Sequence, residues 1–311
     1  MPRSLDLAAA QLGPIARDEG RASVVERLIA LLREAKARGC RLVVFPEMAL
    51  TTFFPRWALQ DQAEIDGYFE REMPGPETRP LFDEAKHLGI AFYLGYCELT
   101  EEDGRTRYFN TAILVDQDGT IVGKYRKMHL PGTETPVAGA PFHHLEKMYF
   151  EPGNLGFPVW GCLDTRVGMC ICNDRRWPET YRVMALKGAE LILLGFNTPA
   201  LAPARPAESH LRGFHHLVTM QAGAYQNSLW VVATAKAGRE EGVDMLGLSC
   251  VIAPTGEVVA QSAGVGDELV AYSADLDMAA DYRRYFAFEK NRRPEFYGPI
   301  TAQTGIDENQ D

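Results

Sequence analysis

TRVGMCICNDRRWPETYRVMALKGAELILLGFN, residues 165–197, decides the fold. It opens on an apolar run ending at Cys172 that reads as a strand. Pro178 then stands where the first turn of a helix tolerates proline, and Val183, Met184 and Leu186 carry that helix to Gly188. The run LILLGFN has the size and the unbroken apolar character of a strand covered on both faces. Strand, helix and strand in this order form a βαβ unit.

The same rhythm occurs upstream. LDLAAA (5–10) reads as a short strand, followed by a helix with Val25, Leu28, Ile29, Leu32 and Ala35 at helical spacing and a stop at Gly39. RLVVFPE (41–47) is a second buried strand with Glu47 at its carboxyl end. A helix bearing Leu81, Phe82, Ala85 and Leu88 then feeds the strand IAFYLGYCEL (90–99). A hairpin comes next, FNTAILVD and GTIVGKYRK about the turn residues Gln117, Asp118 and Gly119, its second strand ending at Lys127. Residues 131–158 show no sustained period, and a loop of that length is functional when it occurs in a compact domain.

Beyond 197, a loop carrying Pro199, Pro203 and Pro206 leads to a helix around FHHLVTMQAGAYQN, the strand LWVVATA and a second hairpin, SCVIAPTGEVVAQ. ILVDQDGTIVGK and VIAPTGEVVAQ each place a turn glycine, Gly119 and Gly256, between β-rich arms, and each follows βαβ material. An internal duplication is therefore expected, with two similar sheets packed together and helices outside. The 311 residues show no linker-like shift in composition, so the reading is one α/β domain, a four-layer αββα sandwich over residues 1–277, with a C-terminal tail over 278–311 that packs on the domain or on a neighbouring subunit.

Composition narrows the function. The chain is 46% hydrophobic and 24% charged, which is ordinary for a globular protein. Acidic residues outnumber basic ones 42 to 32, and the net charge of -10 argues against a nucleic-acid partner. No run approaches the ~20 apolar residues of a membrane span, and MPRSLDLAAAQLG lacks a signal-peptide core. Six cysteines, Cys40, Cys97, Cys162, Cys170, Cys172 and Cys250, lie scattered and mostly in apolar runs, which fits a reducing, cytoplasmic location.

Glu47, Lys127 and Cys172 stand at inferred strand ends, where open α/β sheets place their ligands. Singly, a strand-terminal Glu or Lys is more often solvated, and a Cys in an apolar run usually packs as a small hydrophobe. Together they make chemical sense. A thiol is mostly protonated at neutral pH and needs a base, which Glu47 can supply. Attack on an acyl or ureido carbon builds a negative oxygen that the Lys127 ammonium can stabilise. Metal and phosphate readings are weak by comparison. Cys170 and Cys172 alternate onto one strand face, but no Cys-x2-Cys or His-x3-His spacing occurs, and neither GxGxxG nor GxxxxGK[ST] is present.

The ordered motifs VVFPE, GKYRKMHLP, HLEKMYFEPG, ICNDRRWPE, QAGAYQN and NRRPEFYG resemble the nitrilase, or carbon-nitrogen hydrolase, superfamily along nearly the whole chain. The resemblance implies the αββα fold, with Glu47 as general base, Lys127 as oxyanion stabiliser and Cys172 as nucleophile. Glu146 would be a second carboxylate that orients Lys127 or assists proton transfer. True nitrilases carry Trp-Glu after the cysteine, where this chain has Asn173 and Asp174, so nitrile hydrolysis is disfavoured.

NDRRWPE and TTFFPRW are most similar to N-carbamoyl-D-amino-acid hydrolases. That likeness implies a small anionic substrate and no metal or other cofactor, in a homodimer or homotetramer. Arg175 and Arg176 would bind the substrate carboxylate, and Asn173, His144, Asn197 and Thr198 would supply further contacts. The expected reaction converts an N-carbamoyl-D-amino acid to the D-amino acid, carbon dioxide and ammonia; the alternative is an amidase acting on a β-ureido acid or a carbamoyl amine.

Overall fold

The computed structural model describes residues 3–140, 142–202 and 204–306; Pro141, Pro203 of the proline-bearing loop and the last five positions of the expected tail lie outside the described residues. The first half runs β1 (Ser4–Gln11), α1 (Arg21–Ala37), β2 (Leu42–Val44), α2 (Gln62–Asp66), α3 (Arg79–Leu88), β3 (Ala91–Glu102), β4 (Arg105–Val115) and β5 (Ile121–Arg126). The second continues with α4 (Glu146–Tyr149), β6 (Val159–Cys162), β7 (Thr165–Ile171), α5 (Pro178–Leu186), β8 (Leu191–Phe196), α6 (Arg212–Asn227) and β9 (Trp230–Ala235). β10 (Ala237–Glu240), β11 (Val243–Leu246), β12 (Cys250–Ile252), β13 (Val258–Gln261), β14 (Glu268–Asp275) and α7 (Asp277–Phe286) follow.

Two six-stranded sheets form, in the orders β14-β1-β2-β3-β4-β5 and β13-β12-β9-β8-β7-β6. β1, β2 and β3 are parallel to one another, as are β7, β8 and β9, and each trio is extended by antiparallel strands. The hairpins β4–β5 and β12–β13 occupy the same place in the two sheets, so the expected duplication appears in the topology.

The layering follows from the two-residue period of a strand. Leu5, Leu7 and Ala9 of β1 face the second sheet in a core shared with Met169, Leu193 and Val231, whereas Ala8 and Ala10 pack with Leu28 and Leu32 of α1 and Leu81 of α3. Tyr181 and Met184 of α5 and Met220 and Ala224 of α6 cover the outer face of the second sheet. Helix, sheet, sheet, helix is thus the order of layers.

Several boundaries differ from the sequence reading. β2 stops at Val44, so Glu47 stands in a turn beyond the strand, and β7 stops at Ile171, so Cys172 begins a turn instead of sharing a strand face with Cys170. The long loop contains α4, and β6, β10, β11 and β14 are strands the reading omitted. The tail opens with α7 and lies against the chain's own outer helices. Phe286 meets Tyr225 edge to face, and Arg182 lies over the Phe288 ring. No helix among the described residues is long and apolar enough to cross a membrane.

Candidate active site

Glu47 is fully buried, in a turn that threads between the two sheets. Gly95 of β3 and Gly195 of β8 make room for it. A Cβ at Gly95 would stand 2.6 Å from the Pro46 carbonyl oxygen, and one at Gly195 would stand 2.5 Å from the Glu47 amide nitrogen. The carboxylate is fixed at both oxygens. Oε1 accepts from Nδ2 of Asn110 (2.8 Å) and Nζ of Lys127 (2.7 Å), and Oε2 accepts from the Asn197 amide (2.8 Å).

Lys127 directly follows β5, and its backbone is held by Asn110, whose carbonyl oxygen accepts its N–H at 2.8 Å. The buried ammonium also donates to Oε2 of Glu146, so it bridges two carboxylates. Glu146 opens the one-turn helix α4, and its Oε1 is 3.0 Å from Nε2 of His144.

Cys172 adopts φ 47, a left-handed conformation unusual for a residue with a side chain. Its surroundings hold it there. Nη1 of Arg175 donates to the Cys172 carbonyl oxygen at 2.6 Å, and the Asp174 carboxylate lies under the turn. Asp174 Oδ2 accepts from the Ile171 amide (3.0 Å) and the Tyr125 hydroxyl (2.8 Å); Oδ1 accepts from the His129 amide (3.0 Å) and meets His129 Nδ1 at 2.7 Å. The turn therefore aims the Cys172 sulfur at the Glu47–Lys127 pair. Sγ and one oxygen each of Glu47 and Glu146 lie within 4.8 Å of one another.

Burial and the neighbouring Glu47 charge push the Cys172 thiol up, against the opposing pull of Lys127 and Arg175. Burial also raises Glu47; Lys127 counters this and the like charge of Glu146 reinforces it. For Glu146 burial acts upward too, but Lys127 and His144 outweigh it and leave the group below the ordinary carboxylate range. Burial alone would lower Lys127, yet the surrounding anionic groups raise it, so it stays an ammonium. The resting site consequently holds a thiol, a carboxylate able to take its proton, and a fixed cation.

Glu47, Glu146 and Cys172 form the one group of potential metal donors among the described residues. Nζ of Lys127 is bonded to both carboxylates, so an ammonium already fills the place a metal ion would take among these donors.

The proposed substrate contacts fall into two sets. Arg175 is buried; besides the Cys172 carbonyl it donates to Oγ1 of Thr198 at 2.9 Å, and its guanidinium lies 4.8 Å from the Phe196 ring centre. Asn197 donates Nδ2 to the Glu47 carbonyl at 2.7 Å and accepts the Lys236 amide at 3.3 Å, and His144 is occupied by Glu146. These side chains are bonded within the protein. Arg176 and Asn173 are half-buried and retain free polar atoms: Asn173 Nδ2 donates to the His129 carbonyl at 3.1 Å, leaving its oxygen open. Arg176 is lowered to about 10 by burial and by the charges of Arg175 and Arg212.

Sequence reasoning missed Asn110, Asp174, His129, Tyr125 and Lys236. Asn110 lies in β4, where the polar pair Asn110-Thr111 between Phe109 and Ala112 was the available signal. Lys236 follows β9, is buried, and pairs with Glu240 at 2.9 Å.

The chain is 29% identical over 287 residues to an N-carbamoylputrescine amidase from Arabidopsis thaliana, covering 88% of this chain and 89% of that protein. It is also 29% identical over 295 residues to a citrullinase from Francisella tularensis, covering 92% and 95% of the two. A carbon-nitrogen hydrolase of Helicobacter pylori has the same fold, with a TM-score of 0.80, 24% identity and coverage of 96% of this chain and 99% of that one. The family model for carbon-nitrogen hydrolases matches residues 6–284, and with a buried glutamate, lysine and cysteine converging in that span, the chain belongs to the carbon-nitrogen hydrolase family.

Proposed function

We propose that the protein hydrolyses the carbamoyl group of an N-carbamoyl amino acid, with D stereochemistry favoured by the likeness of NDRRWPE and TTFFPRW to N-carbamoyl-D-amino-acid hydrolases. The observation that carries the substrate class is Arg176: it sits four residues beyond the nucleophile, half-buried, and has no carboxylate partner among the described residues. A carboxylate on the substrate supplies that partner through charge-assisted hydrogen bonds. An ammonium tail would be repelled there.

The chemistry follows from the four central groups. Glu47 takes the thiol proton as Cys172 Sγ bonds to the carbamoyl carbon, and Lys127 stabilises the oxygen that becomes negative. Collapse breaks a C–N bond, and the departing nitrogen takes its proton from Glu47. Glu47 then accepts a proton from the water that attacks the S-thiocarbamate and returns it to sulfur as the C–S bond breaks, which regenerates the thiol. The amino acid is one product; the carbamoyl group ends as carbon dioxide and ammonia. Glu146 keeps Lys127 oriented and charged, with His144 holding Glu146.

The named relatives, an N-carbamoylputrescine amidase and a citrullinase, favour a second reading: an amidase of the same family acting on a carbamoyl amine or a β-ureido acid. Turnover of N-carbamoyl-D- and L-amino acids, a carbamoyl amine, a simple amide and a nitrile separates the two. The first reading expects the D-acid to lead in kcat/KM; a carbamoyl amine turned over faster than any acid overturns it. We also propose self-association, supported by the exposed Phe214, Val218 and Tyr225 of α6 and Tyr285 of α7. Light scattering that finds a monomer at micromolar concentration rejects it.

A further inference from the structure

Two guanidinium groups, one in the turn that follows the nucleophile and one at the start of the helix packed on that turn, have no counter-charge among the described residues, and only one of them was a candidate in the sequence. Arg212 begins α6, the helix that packs against the turn carrying Cys172. It is half-buried, and its Nε donates to the Pro199 carbonyl at 3.1 Å, one residue beyond the Thr198 that receives Arg175. Its Nη1 and Nη2 donate to no protein acceptor among the described residues, and no nitrogen of Arg176 does either. None of these nitrogens is a buried orphan, so they open to solvent or to the site.

The charges acting on Arg212 are those of Arg175 and Cys172; those acting on Arg176 are Arg175, Cys172 and Arg212. In a chain with 42 acidic residues and 23 ion pairs among the described residues, Arg176 and Arg212 are half-buried cations that pair with no carboxylate among those residues. Arg175, the third cation, has both ends committed and cannot swing out without releasing the Cys172 carbonyl.

We propose that Arg212 is a specificity-determining residue that, with Arg176, forms a two-armed clamp for the substrate carboxylate, while Arg175 braces the nucleophile turn. The inference rests on the carbamoyl amino acid reading above and adds a second arm to its Arg176 anchor. In this clamp Arg176 is supplied by the turn after Cys172 and Arg212 by the first turn of α6. The Pro199–Arg212 bond fixes the stem of the second arm, so less side-chain freedom is lost when the anion arrives. Lysine at 212 would keep the charge but lose the bond from Nε and the planar fork.

Kinetics of Arg212→Gln and Arg176→Gln against an N-carbamoyl-D-amino acid and its carboxamide test the clamp, alongside calorimetric binding of the acid to Cys172→Ala with and without Arg212→Gln. We expect Arg212→Gln to raise KM for the acid by about tenfold or more, the effect of losing one charge-assisted hydrogen bond, with kcat and the carboxamide nearly unchanged. Arg212→Lys should recover part of the loss. Equal losses for acid and carboxamide, or an unchanged KM in Arg212→Gln, overturn the proposal. Should the wild type fail to turn over the acid, the calorimetry decides separately: binding to Cys172→Ala that weakens with Arg212→Gln retains the clamp and rejects only the substrate reading, and binding that ignores Arg212 rejects the clamp.

Discussion

Gly195 lies directly beneath Glu47: a methyl group on its α-carbon would stand 2.5 Å from the Glu47 amide nitrogen and 2.7 Å from the Pro46 carbonyl carbon. The base is therefore positioned by a missing side chain on the opposite sheet. Those backbone atoms cannot yield as a flexible side chain would. We expect Gly195→Ala to lower stability by about 1–3 kcal/mol, as overpacking does. A displacement near 1 Å at the carboxylate should also lower kcat by roughly a hundredfold. Gly161→Ala, where the added Cβ meets nothing within 4 Å, is the matched control. Thermal melts and steady-state rates on the two variants check this; equal behaviour would remove the proposed constraint.

Glu146 and Glu47 share one ammonium, and their opposite shifts predict how pH controls the enzyme. Glu47 must be ionised to accept the thiol proton. Burial and the Glu146 charge raise it, so activity should fall on acidification at a pH above the ordinary carboxylate range. In Glu146→Gln the like charge is gone. Glu47 then holds its proton less tightly, the basic form survives to lower pH, and the acid limb of kcat/KM moves down. Maximal kcat should fall as well, because Lys127 loses one of its two carboxylate partners. A limb that stays in place or moves up would assign it to another group.

Much of this site could be read from the chain because Glu47 and Cys172 follow unbroken apolar runs, VVF and MCI, and Lys127 ends the second arm of a hairpin marked by the turn residues Gln117, Asp118 and Gly119. The remaining contacts come from tertiary structure. The nucleophile's positive φ depends on Arg175 and Asp174 holding the turn, and nothing in the pattern Cys-Asn-Asp-Arg distinguishes a buried brace from a surface ion pair. β10 and β11 are four residues each, with arginine, glutamate and aspartate among them, so hydrophobic alternation was too short to register. Arg212 follows a proline-bearing loop that carries no period, and its nearness to Cys172 is set by how α6 packs, which local sequence does not encode.

Asp174 is the centre of the brace and provides a third prediction. Both of its oxygens serve two groups: the Tyr125 hydroxyl and the Ile171 amide on one, the His129 amide and His129 Nδ1 on the other. An asparagine has the same shape but must turn an NH2 toward one of these pairs, and although the Tyr125 hydroxyl or the His129 ring can switch to accepting, the backbone N–H of Ile171 or His129 then faces a donor. We expect Asp174→Asn to reduce stability by about 1–3 kcal/mol, the cost of one buried group left unpaired. Denaturant unfolding gives the figure. A loss under 1 kcal/mol would show that water or a shifted turn replaces these bonds.

The final prediction concerns which cysteine a reagent finds. All six are free and buried, and burial pushes each thiol up, Cys162 to about 11 and Cys250 to about 12. By ionisation alone all six would resist alkylation, since the thiolate is the reactive form. Cys172 differs because Glu47 can remove its proton as the carbon–sulfur bond forms, and because its substrate must reach the same atom. Iodoacetamide should therefore label one residue per chain, Cys172, in step with loss of activity, and substrate should slow both. In Glu47→Gln the labelling rate should fall several-fold or more, since the base is gone while access is unchanged. A chelator should leave rates intact, because Lys127 occupies the place between the carboxylates that a metal ion would need. Peptide mapping by mass spectrometry identifies the labelled residue. Modification of Cys172 at an equal rate in wild type and Glu47→Gln would mean that the thiol is activated by the cations alone, and Glu47 would lose its place as the base.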